Sequence, residues 1–324
     1  MTVVVMLALC MSLAVGALAI DVGHLLLAHT ELQTAADAAA LSGAASLLGS
    51  GAGPAWSAAQ SSAARAVSLN KSDGVILTDA SITTGYWNLA GSPPGIQSQN
   101  VTPGNYDSPA VQTTISRSTG INGGPVIYFL ARIFGASSGP ASATAVAIVA
   151  APGYVAAHAL FPVAIGQCIY SQYWNMQTGT PTTDKEGKPY QVQIGNGQLY
   201  NGCEAGQWTS FQTDNNDVPT VRGLIANGNA TGVGIGDSIW IQSGIKTTIY
   251  SDVPSNVDVL VPVVDQATSA SHKIVAFAAF RIDSATGGSA KYIVGHFIAG
   301  YKIPAASGQV GPYYGAYVPP RLAK

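Results

Sequence analysis

Charge is what this sequence has least of. Of its 324 residues, 14 are Lys or Arg and 16 are Asp or Glu, 9% in all and a net −2, against the roughly 25% usual for soluble domains. A chain this poor in cations lacks the basic surface that neutralises phosphates, which argues against a nucleic-acid partner. No Lys or Arg occurs before Arg65, so the cationic asymmetry that normally orients a membrane helix is missing. Cysteine is equally scarce: Cys10, Cys168 and Cys203 are too few for a disulfide-built scaffold. With five scattered histidines they also lack the ligand spacing of a metal site. No internal repeat stands out, and no cofactor is expected.

What is present in quantity is apolar surface, 47% of the chain, and its placement is uneven. From Thr2 to Ile20 every residue is apolar or small. At about 1.5 Å per residue that run nearly crosses a hydrocarbon core of about 30 Å. Asp21 ends it, which puts Asp21 and His24 near the headgroups of a retained anchor over residues 1–29. The rival reading is a cleaved signal peptide, for which Ala17-Leu18-Ala19 supplies a small-x-small site. The absence of a basic residue ahead of the run favours retention. A pilin-type cut after Gly16 is rejected, because a pilin's apolar run follows its acidic residue and here it precedes Asp21.

Residues 30–72 read as an Ala-rich helical stalk. Leu32 to Leu48 consists almost wholly of strong helix formers, with Glu31 and Asp37 toward its start, and continues the anchor as one helix. Gly49, Gly51 and Gly53-Pro54 stop it. Ala36, Ala40 and Ala44 fall four apart, as do Ala39 and Gly43. Two readings of that smooth face stand together: helix propensity in a solvated stalk, or a seam for docking partner helices. Ala55 to Leu69 reads as a second short helix, with Ala59, Ala63 and Ala66 on one side.

Residues 73–152 form a mixed α+β module. Val75 to Leu77, Ser81 to Trp87 and Ala110 to Ile115 have strand patterns, Val126 to Phe134 a helical one, and Ala141 to Val149 a closing strand. Residues 153–324 read as a β-rich domain. Its clearest strands are Ser238 to Gln242, Val257 to Val264, Lys273 to Ile282 and Tyr292 to Tyr301, followed by an aromatic, proline-bearing tail that either packs or frays. The expected fold is therefore α+β: a transmembrane helix continuing into a helical stalk, a mixed module, and a β-rich extracytoplasmic domain. Cys168 and Cys203 are the only possible pair beyond the leader. They bridge in an oxidising compartment and stay buried thiols in a reducing one.

The stretch ALAIDVGHLLLAHTELQTAADAAALSGA, Ala17 to Ala44, resembles the N-terminal segment of TadG-like proteins of the Flp (Tad) pilus assembly system. In that family an apolar helix runs through Asp-Val-Gly into Leu-Gln-x-Ala-Ala-Asp-Ala-Ala-Ala-Leu, here Leu32 to Leu41. Weaker likenesses follow in order at Gly85-Tyr86-Trp87-Asn88, Val126 to Thr144, and Val261-Pro262-Val263-Val264-Asp265 before Val275 to Phe280. The resemblance implies a single-pass protein of the cytoplasmic (inner) membrane with a large extracytoplasmic part. Its implied partners are membrane lipid and other Tad pilus proteins, namely TadE/TadF-like pseudopilins and the secretion platform, with a role as a minor pilin-like or tip-associated subunit. The chain departs from the family in lacking basic residues ahead of its apolar helix.

Chemistry is tempting at a few places. Gly135-Ala136-Ser137-Ser138-Gly139 has the letters of a serine-hydrolase elbow but not the strand-to-helix setting. Asp79-Ala80-Ser81-Ile82-Thr83 resembles the metal loop of von Willebrand A domains, yet a strand follows where a helix should. Asp214-Asn215-Asn216-Asp217 reads as a polar turn rather than a calcium loop, and glycines 232, 234 and 236 lack the nucleotide-loop register. His158, His272 and His296 have no partner that spacing supplies. Aromatic clusters at Tyr170, Tyr173 and Trp174 and at Tyr313, Tyr314 and Tyr317 are core residues or a recognition surface. The reading is a non-enzymatic assembly component, with Ala36, Ala39, Ala40, Gly43 and Ala44 as its docking residues. A secreted hydrolase or carbohydrate-binding protein with a cleaved leader is the alternative.

Overall fold

A computed structural model describes residues 2–48, 54–104, 106–176, 178–215, 217–242, 248–303 and 310–323. The anchor and the Ala-rich run are one helix, α1 (Thr2–Ala45). Nothing in those residues interrupts the hydrogen-bond ladder, since proline is absent and Gly16, Gly23 and Gly43 are isolated among good helix formers. The glycines expected to stop it at 49, 51 and 53 lie outside the described residues. After α2 (Trp56–Val67) come β1 (Lys71–Ser72) and β2 (Val75–Ile76), joined by Asp73 and Gly74, both at positive φ. Asp-Gly is the pair that a two-residue hairpin turn demands.

The strands β3 (Ser81–Asn88), β4 (Ile96–Gln97), β5 (Asp107–Arg117), β6 (Val126–Ile127), β7 (Ser138–Gly139) and β8 (Ala141–Ile148) complete the first module. Residues 126–134 depart from the expected helix. They form one arm of the β6–β7 hairpin, and at its tip a single 3-10 turn, Ala131–Phe134. The apolar spacing there suits a helix, but Gly135 at φ 88° ends the turn after four residues.

In the remainder, β9 (Ala151–Pro152), β10 (Tyr154–Val155) and β11 (Val163–Gly166) precede α3 (Gln167–Tyr173). Short ladders follow as β12 (Trp174–Asn175), β13 (Thr180–Pro181), β14 (Val192–Ile194), β15 (Leu199–Tyr200), β16 (Cys203–Glu204) and β17 (Gly206–Phe211). Beyond α4 (Val218–Asn227) run β18 (Val233–Gly234), β19 (Ser238–Ile241), β20 (Val257–Val264), β21 (Ser271–Thr286) and β22 (Tyr292–Phe297). The tail contributes β23 (Tyr301–Lys302), β24 (Val310–Gly311), β25 (Ala316–Tyr317) and β26 (Arg321–Leu322). The fold is mixed α+β with a β-rich C-terminal part.

Two sheets organise these elements. The first has the order β26-β8-β5-β3-β4, antiparallel throughout. In the second, β20 pairs antiparallel with β21 and parallel with β11, and the series β21-β19-β17-β11 closes the ring, with β22 and β14 extending from β21. Closure leaves no free edge among those five strands. Both faces of β20 and β21 are covered: Leu260, Val264, Phe277 and Ala279 enter one core, while Val261, Val263, Ala276, Ala278 and Phe280 enter another. That is why these strands read as nearly unbroken apolar runs.

The tail packs rather than frays. Tyr314 stacks on Tyr170 with ring centroids 3.7 Å apart, and β26 joins the first sheet beside β8. The boundary drawn at residue 152 is therefore crossed by the end of the chain. Residues 30–72 are no free-standing stalk either, because α1, α2 and the first sheet share one core.

Candidate functional site: the socket that holds the membrane helix

Along α1 the surroundings change at Asp21. The described side chains from Val3 to Ile20 stand mostly exposed, Val3, Val4, Met6, Met11 and Val15 by about two-thirds or more. From Asp21 onward one stripe turns inward: Asp21, Ala28, Leu32, Ala35, Ala36, Ala39, Ala40 and Ala44 are all buried. The spacing is that of one helical face.

The small-residue seam is covered by the chain itself. Ala36, Ala39, Ala40 and Ala44 have no exposed surface, because Ala59, Ala63 and Ala66 of α2 together with Val111, Ala143, Ala145 and Ala147 of the sheet fill it. A Cβ on Gly43 would lie 3.0 Å from the Ala59 carbonyl oxygen and 3.1 Å from the Ala63 Cβ. Gly43 is what lets α2 approach this closely. At Ala36, Ala39, Ala40, Gly43 and Ala44 the small residues admit a neighbouring helix, and the helix packed there is α2 of the same chain.

A polar collar grips α1 at the head of this stripe. The Asp21 carboxylate accepts three backbone N–H groups at the hairpin tip, Phe129 at 2.6 Å, Leu130 at 3.1 Å and Ala131 at 2.6 Å. These are unpaired donors at the start of the 3-10 turn, which an anion satisfies well. One turn on, His24 Nε2 lies 3.0 Å from Asp73 Oδ1, and its ring stands 4.7 Å from that of Phe129. Asp73 also receives Arg117 at 3.1 Å, a guanidinium 3% exposed that further donates to the Ser72 and Gly124 carbonyls. The Ser72 hydroxyl donates to the Ala28 carbonyl, and Glu31 accepts the Asp73 N–H at 2.6 Å. Burial alone pushes the Asp73 carboxyl up, but hydrogen bonds from His24 and Arg117, with their charges, hold it below its ordinary value.

Of these residues, sequence reasoning singled out only Asp21 and His24, as headgroup neighbours. It missed Asp73, Arg117 and the hairpin. The available signals were an Asp-Gly turn close after the helices and an arginine at the end of an apolar strand.

The remaining sequence candidates fall into structural settings. Ser137 and Ser138 are exposed at the start of β7, downstream of the 3-10 turn. The loop at Asp79 is organised by buried Asn122, whose amide accepts from the Thr78 and Asp79 N–H groups and donates to the Asp79 and Ser116 carbonyls. Asp217 caps α4, where the Thr220 N–H at 2.7 Å and then the Thr220 hydroxyl hold its carboxyl below the usual range. Asn216 lies outside the described residues.

The histidines gain partners that spacing did not supply. His272 sits between Asp265 and Thr268 in the β20–β21 hairpin, and His296 beside Asp283. His158 bonds the Asn227 carbonyl. Tyr170, Trp174 and Tyr314 are buried against one another, which makes them core rather than recognition surface. The sulfurs of Cys168 in α3 and Cys203 in β16 are bonded, with Cα atoms 5.8 Å apart. Among the described residues, no three His, Cys, Asp or Glu side chains gather as a metal site.

Among the described residues one helix, over Ala14–Ala45, is long and apolar enough to cross a membrane, and its second half is socketed in the α+β body, the build of a single-span candidate. Residues 1–46 match the family described as putative Flp pilus-assembly TadE/G-like, and residues 31–147 match putative Tad-like Flp pilus-assembly. The two matches run together from the first residue to the end of β8, and they support a TadG-like Flp pilus-assembly protein. No curated protein and no solved structure is detectably similar to the chain.

Proposed function

We propose that the protein is a non-enzymatic, membrane-anchored subunit of Flp pilus assembly, acting as a minor pilin-like or tip-associated component. Residues up to Asp21 cross the cytoplasmic (inner) membrane, and the α+β body lies outside the cytoplasm. The observation that carries this reading is the continuity of α1, one 44-residue helix whose described side chains up to Ile20 are mostly exposed and whose second half is built into the body. Such a helix holds the body at a fixed height above the bilayer, and the collar at Asp21 fixes its rotation. The Cys168–Cys203 bond supports an oxidising location. TadE/TadF-like pseudopilins meet the lipid-exposed length of α1, where Gly16 has nothing within 4 Å of its Cβ position. The secretion platform meets it from the same membrane.

Fractionating sheared pili against membranes tests this, with N-terminal sequencing of the recovered chain. An uncut chain in the membrane or pilus fraction is expected. A soluble chain beginning at Ile20 points instead to a secreted hydrolase or carbohydrate-binding protein.

A further inference from the structure

Among the described residues outside α1, the hairpin that receives Asp21 carries four exposed large apolar side chains within eight positions. Ile127 is 48% exposed, Phe129 59%, Ile133 77% and Phe134 72%. Ile127 ends one arm of the hairpin and the other three lie between the arms, where the tip includes a single cation, Arg132. Soluble surfaces rarely leave aromatic and branched side chains so bare, and a contiguous patch of this kind marks a membrane or protein contact. Its position decides between the two. The tip is fastened to Asp21, the residue at which the uncharged run of α1 ends, and Leu18 and Ile20 are exposed on the same stretch.

We propose that this hairpin tip is a second membrane contact, inserting Phe129, Ile133 and Phe134 into the headgroup and acyl boundary of the bilayer that α1 crosses. The proposal rests on the anchored reading of α1, whose lipid-facing surface it extends without a break. Three further features fit a bilayer. Asp21, the acid at that level, has its carboxylate occupied by three N–H groups, so it brings no bare anion to the interface. Arg132 is exposed at the tip, where a long cationic side chain can reach anionic headgroups. Ser137 and Ser138 place polar groups where the arms leave the tip. A rod crossing the bilayer at one point can tilt; a second contact beside it fixes the angle of the body to the membrane.

The test uses the full-length protein, with Cys10→Ala, in vesicles of zwitterionic lipid containing a minority of anionic lipid and no other protein. Single spin labels are placed at Ile133→Cys, Phe134→Cys, Val15→Cys and Leu199→Cys, all exposed positions. Accessibility to oxygen and to a water-soluble nickel chelate is then compared. The expected result is that the 133 and 134 labels shift toward the oxygen-rich, nickel-poor reading of the Val15 label, with Leu199 aqueous. Labels at 133 and 134 as aqueous as Leu199, with Val15 in lipid, overturn the hairpin contact and leave the anchor standing. An aqueous Val15 label overturns both.

Discussion

The carboxylate of Asp21 and the backbone N–H of Ala131 meet at 2.6 Å across 110 residues of sequence. With the neighbouring bonds to Phe129 and Leu130, this contact fastens a hairpin tip to the apolar helix α1. Asp21→Ala leaves those three donors without their acceptor. Hydrogen exchange on the reconstituted protein should show amides 129–131 losing protection while the β5 and β8 amides keep theirs. Unchanged exchange at the tip would mean that the carboxylate does not hold it.

Gly43→Leu forces a branched side chain into the 3.0 Å gap between α1, the Ala59 carbonyl and Val111. Overpacking of this kind costs about 1–3 kcal/mol, and more where the neighbour is backbone. Thermal unfolding in detergent should drop by several degrees. Gly16→Leu, with nothing within 4 Å, should leave the melting point alone. Equal effects at the two sites would contradict the packing described.

The Cys168–Cys203 bond closes a loop of 35 residues and ties α3 to the β15–β16 hairpin. On the loop-entropy relation its removal costs about 3–4 kcal/mol. The Cys168→Ser, Cys203→Ser double variant should melt below the parent, and a reductant should lower the parent but not the double variant.

Asn229 has no exposed surface and its side chain makes four hydrogen bonds: it accepts from the Ala159 and Leu160 N–H groups and donates to the Ala156 and Thr231 carbonyls. Asn229→Ala orphans buried donors, each at about 1–3 kcal/mol. Denaturant unfolding should show a loss well beyond that of a surface Asn→Ala change such as Asn100→Ala, at an exposed position.

The pH dependence follows from Asp73. Its folded carboxyl titrates below the ordinary 3.8, so folding favours the ionised form. The stability it adds is present above 3.8 and is lost as pH falls through the lower, folded value. Asp73→Asn should flatten that part of the acid limb in melting curves taken from neutral to strongly acidic pH.

Local composition by itself determined the long helix, the second helix and most of the longer strands. An uncharged run followed by alanines has one low-energy conformation whatever surrounds it, and alternating or doubly buried apolar strands announce themselves by period. The Leu32 to Leu41 run likewise carried the family likeness. What covers a face is a different question: alanines at helical spacing invite close approach equally from a foreign helix and from α2. Only the tertiary structure decided that, because the answer depends on where residues 56–67 fold back. The same holds for the helical pattern at Val126 to Phe134, which is a hairpin arm and tip whose N–H groups find their acceptor in Asp21. The end of the chain became a strand of the first sheet only because β8 presented an edge to it. Sequence specifies which groups seek partners; the fold alone determines which partners, a hundred residues away, they find.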